Sequence, residues 1–341
     1  MKNDFEYELL DQNQQDAAIR EKLHALYSSP LSDTLYWELS NPSLVHNGYY
    51  KLFYYEQAVL KQIILFEYVA KSGRILVLNR HYHISETEIR NICSILFREF
   101  DKVQQIIFKK IYFSNYRQSS KIIFEKSSND VIIELPESFD TYMKSLGKST
   151  RERFRQNTKR IVRDFPDFQF HYLEKDDILF EDIEKVILLH RGRMKTKGIT
   201  ISGDEKLCDE AKYATTSDCG FLCVCTINDK IIGGAINFIV GEHAYLFVIG
   251  HNDSYNYYSV GQLVLANTIK YLIEEKKIKH YHLSWGKQDY KFKYGGINHE
   301  IYTLQVFRNF RGKLKTIFKQ RVKDNKILYN FYLKFKNNLI I

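Results

Sequence analysis

The chain has 341 residues, with 50 Lys+Arg against 41 Asp+Glu, for a formal net charge of +9. Apolar residues at 44% and charged residues at 27% exclude wholesale disorder, and only four prolines exclude a Pro-rich stalk. The length exceeds the ~250–300 residues at which single cores stop growing, so two domains are expected.

From the N-terminus, MKNDFEYELLDQNQQD is acidic and polar and lacks a basic segment followed by an apolar core, so no secretory signal is expected. Gln14 to Tyr27 is helix-like. Ala58–Ala70 and Ile75–Asn79 read as strands joined at the turn signal Lys71-Ser72-Gly73. Ser85-Glu86-Thr87-Glu88 forms a capping box ahead of Ile89, Ile92, Leu96 and Phe100, which share a helix face. Short strands follow at Gln105–Phe113, Lys121–Glu125 and Val131–Leu135.

A helical connector starts at Pro136, with Phe139, Tyr142, Met143 and Leu146 on one stripe. After Gly147, Ser149-Thr150-Arg151-Glu152 reads as a fresh capping box opening a second helix. The stretch Lys144 to Arg163 carries eight basic residues and one acid, Glu152. Phe168–Leu173 is strand-like, Asp177–Lys197 is a helix ending at Gly198, and Ser202 to Glu205 caps another. Strands at Phe221–Ile227, Ile231–Ile239 and His243–Gly250 are separated by the turns at Asn228-Asp229-Lys230 and Gly241-Glu242.

The polar segment His251–Tyr258 leads into an amphipathic helix, Val260–Lys276, and then a short strand, His280–Ser284, expected to run parallel to the one before the helix. A loop with Trp285, Lys287, Asp289, Tyr290, Lys291 and Lys293 follows, then a strand at Ile301–Phe307. From Arg308 to Ile341 there are ten basic residues and one acid, so this tail alone carries +9 and the rest of the chain is balanced. A basic body suited to DNA is therefore disfavoured. The tail alternates lysines with Phe318, Tyr329, Phe331, Tyr332 and Phe335, a pattern that fits a helix on an acidic membrane surface or one packed by its aromatics on the protein.

The longest apolar run, Ile231 to Val240, is too short for a bilayer, which takes ~20 apolar residues. Of five cysteines, Cys219, Cys223 and Cys225 crowd one strand-like run. C-x-C in a strand points both thiols to one face, so buried free thiols, no metal and a cytoplasmic setting are expected.

The chemistry is concentrated around the crossover. A helix start at Tyr258-Ser259-Val260-Gly261-Gln262 offers unpaired N–H groups and a positive dipole end to a phosphate, and Gly261 permits close approach. The loop after the crossover strand lies where α/β sheets bind ligands. With the helix KSTRERFRQNTKRI, the segment LLHRGRM (Leu188–Met194), the run YYSVGQLVLANTIKYLIEEKKIKHYHLSWG and the run DYKFKYG, residues from about Leu135 to Phe307 resemble the GNAT-type acyltransferase domain of the CelD-like group, related to the Fem peptidoglycan aminoacyltransferases. One departure is that the usual Arg/Gln-x-x-Gly-x-Gly/Ala phosphate loop is reduced to Gly261.

The resemblance implies an α+β fold of tandem GNAT-like mixed sheets with flanking helices. Residues 1–135 would be a degenerate first copy, 136–310 the catalytic copy and 311–341 a basic amphipathic helix. It implies acetyl-CoA as donor, with no metal. The thioester would lie on Val248, Ile249 and Gly250, and the pyrophosphate on Tyr258, Ser259, Val260, Gly261, Gln262 and Leu263. Asp289, His190 and His251 are base candidates, and Tyr290 and Tyr258 acid candidates. Lys291 would bind an acceptor anion, and Arg193, Asn237, Trp285 and Lys287 would contact substrate. The acceptor would be a small-molecule amine, such as an amino sugar of envelope polysaccharide synthesis. Aminoacyl-tRNA as donor and a non-catalytic binding protein are the alternatives. Partners would include a membrane surface met through the tail, at its cytoplasmic face, and no DNA.

Overall fold

The structure is a computed structural model that describes residues 5–11, 17–41, 44, 48–113, 120–198, 204–285 and 288–324. Within the first half these form β1 (Phe5–Leu10), α1 (Ala17–Leu26), α2 (Thr34–Ser40), β2 (Tyr50–Glu56), β3 (Val59–Val69), β4 (Arg74–Val77), α3 (Glu86–Glu99), β5 (Gln105–Ile111) and β6 (Ile122–Glu134). Next come α4 (Phe139–Ser145), α5 (Lys148–Asp164), β7 (Gln169–Glu174), α6 (Phe180–Thr196), α7 (Asp204–Ala211) and α8 (Tyr213–Thr216). The remainder is β8 (Gly220–Ile227), β9 (Lys230–Val240), β10 (His243–His251), α9 (Val260–Glu274), β11 (His280–Trp285), α10 (Asp289–Lys293), β12 (Ile297–Phe307) and α11 (Phe310–Asp324).

All twelve strands join one mixed sheet in the order β1-β2-β3-β4-β5-β12-β6-β11-β10-β9-β8-β7. The same pairing pattern occurs twice. β1 to β4 are antiparallel neighbours, and β5 lies parallel to β4 after the crossover helix α3. Likewise β7 to β10 are antiparallel, and β11 lies parallel to β10 after α9. The strand after each crossover goes to the other half: β6 pairs with β11, and β12 pairs with β5, while β6 and β12 pair with each other. The expected boundary at 135/136 therefore does not coincide with a break in the sheet. One core gathers the first half with α6 and α8, and a second lies beneath α9, α4 and α5.

Several local expectations are corrected. β1 and β2 were not expected. Their hairpin partner is reached through Gln57 and Ala58, both at positive φ without the glycine that would flag a tight turn. The two strands expected at 121–125 and 131–135 are one strand, β6. Its polar middle, Lys126 to Asn129, reads as a loop, but the ladder with β12 holds it extended. The capping box at Ser149–Glu152 does not form, because α5 already starts at Lys148 with Gly147 at its N-cap and no side-chain cap. The loop after Trp285 contains the short helix α10.

Other expectations match. The Ser85/Glu88 capping box is present in both directions. Asn228 and Asp229 both take positive φ, as a two-residue hairpin turn requires. Cys223 and Cys225 are buried free thiols on the α9 side of the sheet. Of the basic tail, α11 is described, while Tyr329, Phe331, Tyr332 and Phe335 lie outside the described residues. No helix among the described residues is long and apolar enough to cross a membrane.

Candidate active site

β10 and β11 stay paired only from His243↔His280 to Tyr245↔His282. A bulge between Leu246 and Val248 then turns β10 away, and from Val248 to His251 its ladder partner is β9. A strand with one neighbour leaves alternate backbone amides on its open side, here facing the split. Ser284 closes the apex, with its Oγ donating to Leu246 O at 2.7 Å.

The crossover helix α9 begins above this split. Its N-cap Ser259 sits at φ 55°, in the left-handed region, so its side chain makes no capping bond. No acid occupies the first turn. The N–H of Gln262 turns back on Ser259 O at 2.8 Å, leaving the dipole end of Val260 and Gly261 to an external anion. The corresponding helix of the first half is closed. At α3 the Ser85 Oγ and the Glu88 carboxylate satisfy the end groups, and Glu86 and Glu88 place negative charge there. Of the two crossover helices, the second is the one whose N-terminal end is left uncapped for an anionic ligand.

A cavity of about 430 Å³ opens at this point. Its walls are Arg193, Thr196 and Lys197 from α6, Ile249 and His251 from β10, Asp253 and Asn256, and Ser259, Gly261, Gln262 and Leu265, with Tyr290 from α10. Asp253, the one acid in this wall, accepts Thr196 Oγ1 at 2.8 Å and Asn256 Nδ2 at 3.3 Å, which hold it ionised, and its single charge stands against the two cations Arg193 and Lys197. Arg193, Lys197 and the helix end then set the sign of the cavity. Thr196, Lys197, Asp253 and Asn256 were not singled out in the sequence. They lie at the end of a helix and in an irregular turn, and only folding brings them together.

The geometry separates the expected site residues. Ile249, His251, Ser259, Gly261, Gln262, Arg193 and Tyr290 line the cavity. Val260 and Leu263, on the opposite side of the helix turn, point into the core, and Val248 is buried. Gly250 meets α6: a Cβ there would lie 2.5 Å from His190 N and 2.7 Å from Val186 O. Tyr258 is drawn aside, its hydroxyl donating to Asp164 Oδ2 at 3.1 Å. Asn237 is fully buried. Its Oδ1 accepts Tyr281 OH at 2.7 Å and its Nδ2 reaches Ala235 O, so it is a hydrogen-bonded core residue and not a lining one. Asp289 is exposed at the first position of α10. Lys287 and the Trp285 side chain lie outside the described residues.

The two histidines differ in how they are held. His190 Nδ1 lies 2.9 Å from Ile249 O, and since a carbonyl only accepts, Nδ1 carries the proton and Nε2 keeps its lone pair. Burial lowers its pKa, so the ring is neutral at neutral pH. His251 donates Nε2–H to Asn256 Oδ1 at 3.0 Å, and its buried Nδ1, without a hydrogen-bond partner, faces the Gly261 Cα. Burial and the nearby Arg193 charge lower its pKa too.

Lys291 is only 3% exposed, and its Nζ donates to Ser284 O at 2.9 Å, at the apex of the split. Burial lowers its pKa to about 8, partly opposed by Asp130. The residue expected to bind an acceptor anion is thus a buried amine under the split. Burial raises the Tyr290 phenol, and the Arg193 charge works against this.

Residues 148–292 match the family model described as an acetyltransferase (GNAT) domain, which supports an N-acyltransferase enzyme. No curated protein sequence matches the chain. Among solved structures, FemX is similar over 85% of this chain and 96% of its own, at 11% identity and a TM-score of 0.61. L-PGS from Bacillus licheniformis is similar over 86% and 92%, at 13% identity and a TM-score of 0.53. A conserved protein of unknown function from Bacteroides thetaiotaomicron is similar over 85% and 97%, at 14% identity and a TM-score of 0.52. At such identities these likenesses show a shared fold.

Proposed function

We propose that the enzyme moves an acyl group, acetyl from acetyl-CoA in the first instance, to a small amine such as an amino sugar, by direct attack in the split between β10 and β11. The two halves, 1–135 and 136–310, are read as two GNAT-like units, of which the second is catalytic. The observation that carries this reading is the uncapped start of α9 opening into the 430 Å³ cavity beside Arg193 and Lys197. The donor's pyrophosphate rests on that helix end, and its thioester lies along Val248–Gly250, whose free-edge amides polarise the carbonyl.

The amine nitrogen attacks the thioester carbon, and the negative charge forms on oxygen. His190 Nε2 takes the proton released by the amine, directly or through one water. The Lys291 ammonium, held at the apex, stabilises the oxyanion electrostatically. As the C–S bond breaks, the Tyr290 phenol gives its proton to the thiolate. Asp289, at the open end of α10, orients the acceptor.

A second reading is favoured by one feature. The basic helix α5 runs beside the cavity mouth, where Arg160 donates to Tyr257 O at 3.3 Å and stacks 4.3 Å from its ring. That surface would also suit the backbone of an aminoacyl-tRNA donor.

Calorimetric titration of the full chain with coenzyme A and with acetyl-CoA tests the donor. Saturable binding that Gly261→Asp abolishes supports the reading, because the new carboxylate occupies the helix end. Absence of coenzyme A binding, together with tRNA binding that weakens steeply with salt, replaces it with the second.

A further inference from the structure

Three polar side chains meet at the centre of the sheet, where the paired part of β10 and β11 ends below the split. His81 follows β4 at φ 59°, Asp130 lies on β6 and His282 on β11. They come from both halves of the chain, and their exposures are 5%, 0% and 2%. The potential ligand atoms of all three lie within 4.8 Å of one another.

The Asp130 carboxylate is used unevenly. Its Oδ2 takes Tyr112 OH at 2.6 Å and His282 Nδ1 at 2.6 Å, and His81 Nδ1 lies 3.7 Å away. Its Oδ1, equally buried, has no hydrogen-bond partner. A fully buried carboxylate oxygen without a partner is costly, and crowding two donors on its neighbour does not relieve it.

We propose that His81, Asp130 and His282 form a binding site for a divalent transition-metal ion of the zinc class. Imidazole nitrogen and carboxylate oxygen are the borderline donors that such ions prefer. Ligands about 2.0–2.1 Å from one ion in tetrahedral array stand roughly 3.3 Å apart. The 3.7 Å between His81 and Asp130 is close to that spacing, and the 2.6 Å between Asp130 and His282 opens by about 0.7 Å when Oδ1 turns toward the ion.

The surroundings fit a ligated state. His282 Nε2 lies 2.9 Å from His243 Nδ1, and Tyr245 stacks on the His282 ring at 4.0 Å, so the ring is oriented from behind as metal-bound histidines are. The ion would pin β6 and β11 to the segment after β4, tying the two halves together at their seam. This site is independent of the acyl donor and stands whether or not the proposed reaction does.

The test uses the full chain without an affinity tag, stripped with a chelator and then titrated with Zn2+ and with Co2+. One equivalent bound after dialysis is expected, with visible Co2+ absorption of a four- or five-coordinate site. His81→Gln and Asp130→Asn are expected to weaken binding at least ~100-fold, since each removes a ligand. Circular dichroism checks that the variants fold, and if Asp130→Asn does not, His81→Gln decides. No binding by the wild-type chain overturns the proposal. So does the same stoichiometry and spectrum in folded His81→Gln, which would mark an adventitious ion elsewhere.

Discussion

Replacing Lys291 by methionine separates the charge of this residue from its shape. The amine titrates at about 8 in the folded chain, against 10.5 for a free lysine, because burial penalises its charge. The unfolded chain therefore holds this proton more tightly than the folded one. Below pH 8 the full penalty is present, and it fades as pH rises toward 10.5. Stability of the wild type should thus increase from pH 7 to pH 9.5 by about 2 kcal/mol from this group alone. Solvent reaching the split screens part of that, leaving about 1 kcal/mol. Lys291→Met retains the stem and lacks the charge, and it leaves Ser284 O without this donor equally at both pH values. Urea titrations of both proteins at the two pH values give the double difference, in which all other titrating groups cancel. A wild-type gain larger than the variant's by about 1 kcal/mol supports the buried amine. Parallel pH responses would refute it, and with it the placement of a titrating cation under the split.

Three other changes have definite outcomes. Gly250→Ala drives a Cβ into the backbone of α6 at His190 and Val186, and overpacking of this kind should cost about 1–3 kcal/mol in denaturant titration. Asp33→Asn weakens the buried cluster in which Asp33 accepts Arg20 at 3.0 Å, His24 at 2.9 Å and Tyr213 at 2.7 Å, with a loss of about 3–5 kcal/mol. Burial works to raise the Asp33 carboxyl, but these three donors outweigh it and hold it below the usual range. Wild-type stability should accordingly fall as pH drops below about 4, and this component should be missing from the variant. Tyr290→Phe should leave the thermal midpoint nearly unchanged and slow acyl transfer by ~100-fold or more, as loss of a general acid does; transfer at the wild-type rate would reassign the acid.

The second half of the chain was the more readable. From β8 to β10 the strands are bounded by turns such as Asn228-Asp229, and α9 with its glycine start follows directly, so the local pattern carries the crossover and the helix end that faces the cavity. What escaped depends on distant partners. Asn129 and Asp130 look like loop residues until His282, 152 positions later, is placed against them. The N-terminal strands were hidden because β1 is partly exposed and polar, and because the turn into β3 uses Gln57 and Ala58. Lys291 was visible as one cation in a polar loop, but its burial follows from Gly296, where a Cβ would lie 2.8 Å from Lys291 O, and from α10, which the glycine-flanked sequence did not announce. His190 and His251 were visible as candidates, but the tautomers that distinguish them come from Ile249 O and Asn256 Oδ1.

The placement of β12 between β5 and β6 has a consequence during synthesis. Until residues 297–307 leave the ribosome, β5 and β6 each present a bare edge of backbone donors and acceptors. Neither half can finish its sheet alone, because the strand closing the first half is encoded near the end of the chain. Gln105 and Gln305, whose side chains meet at 2.6 Å, are 200 residues apart. Contacts of such separation form late and slow folding, so the nascent chain passes through a long interval with open strands that are exposed to edge-to-edge association. A shortened chain ending before Ile297 should therefore accumulate as aggregate and not as a stable fragment.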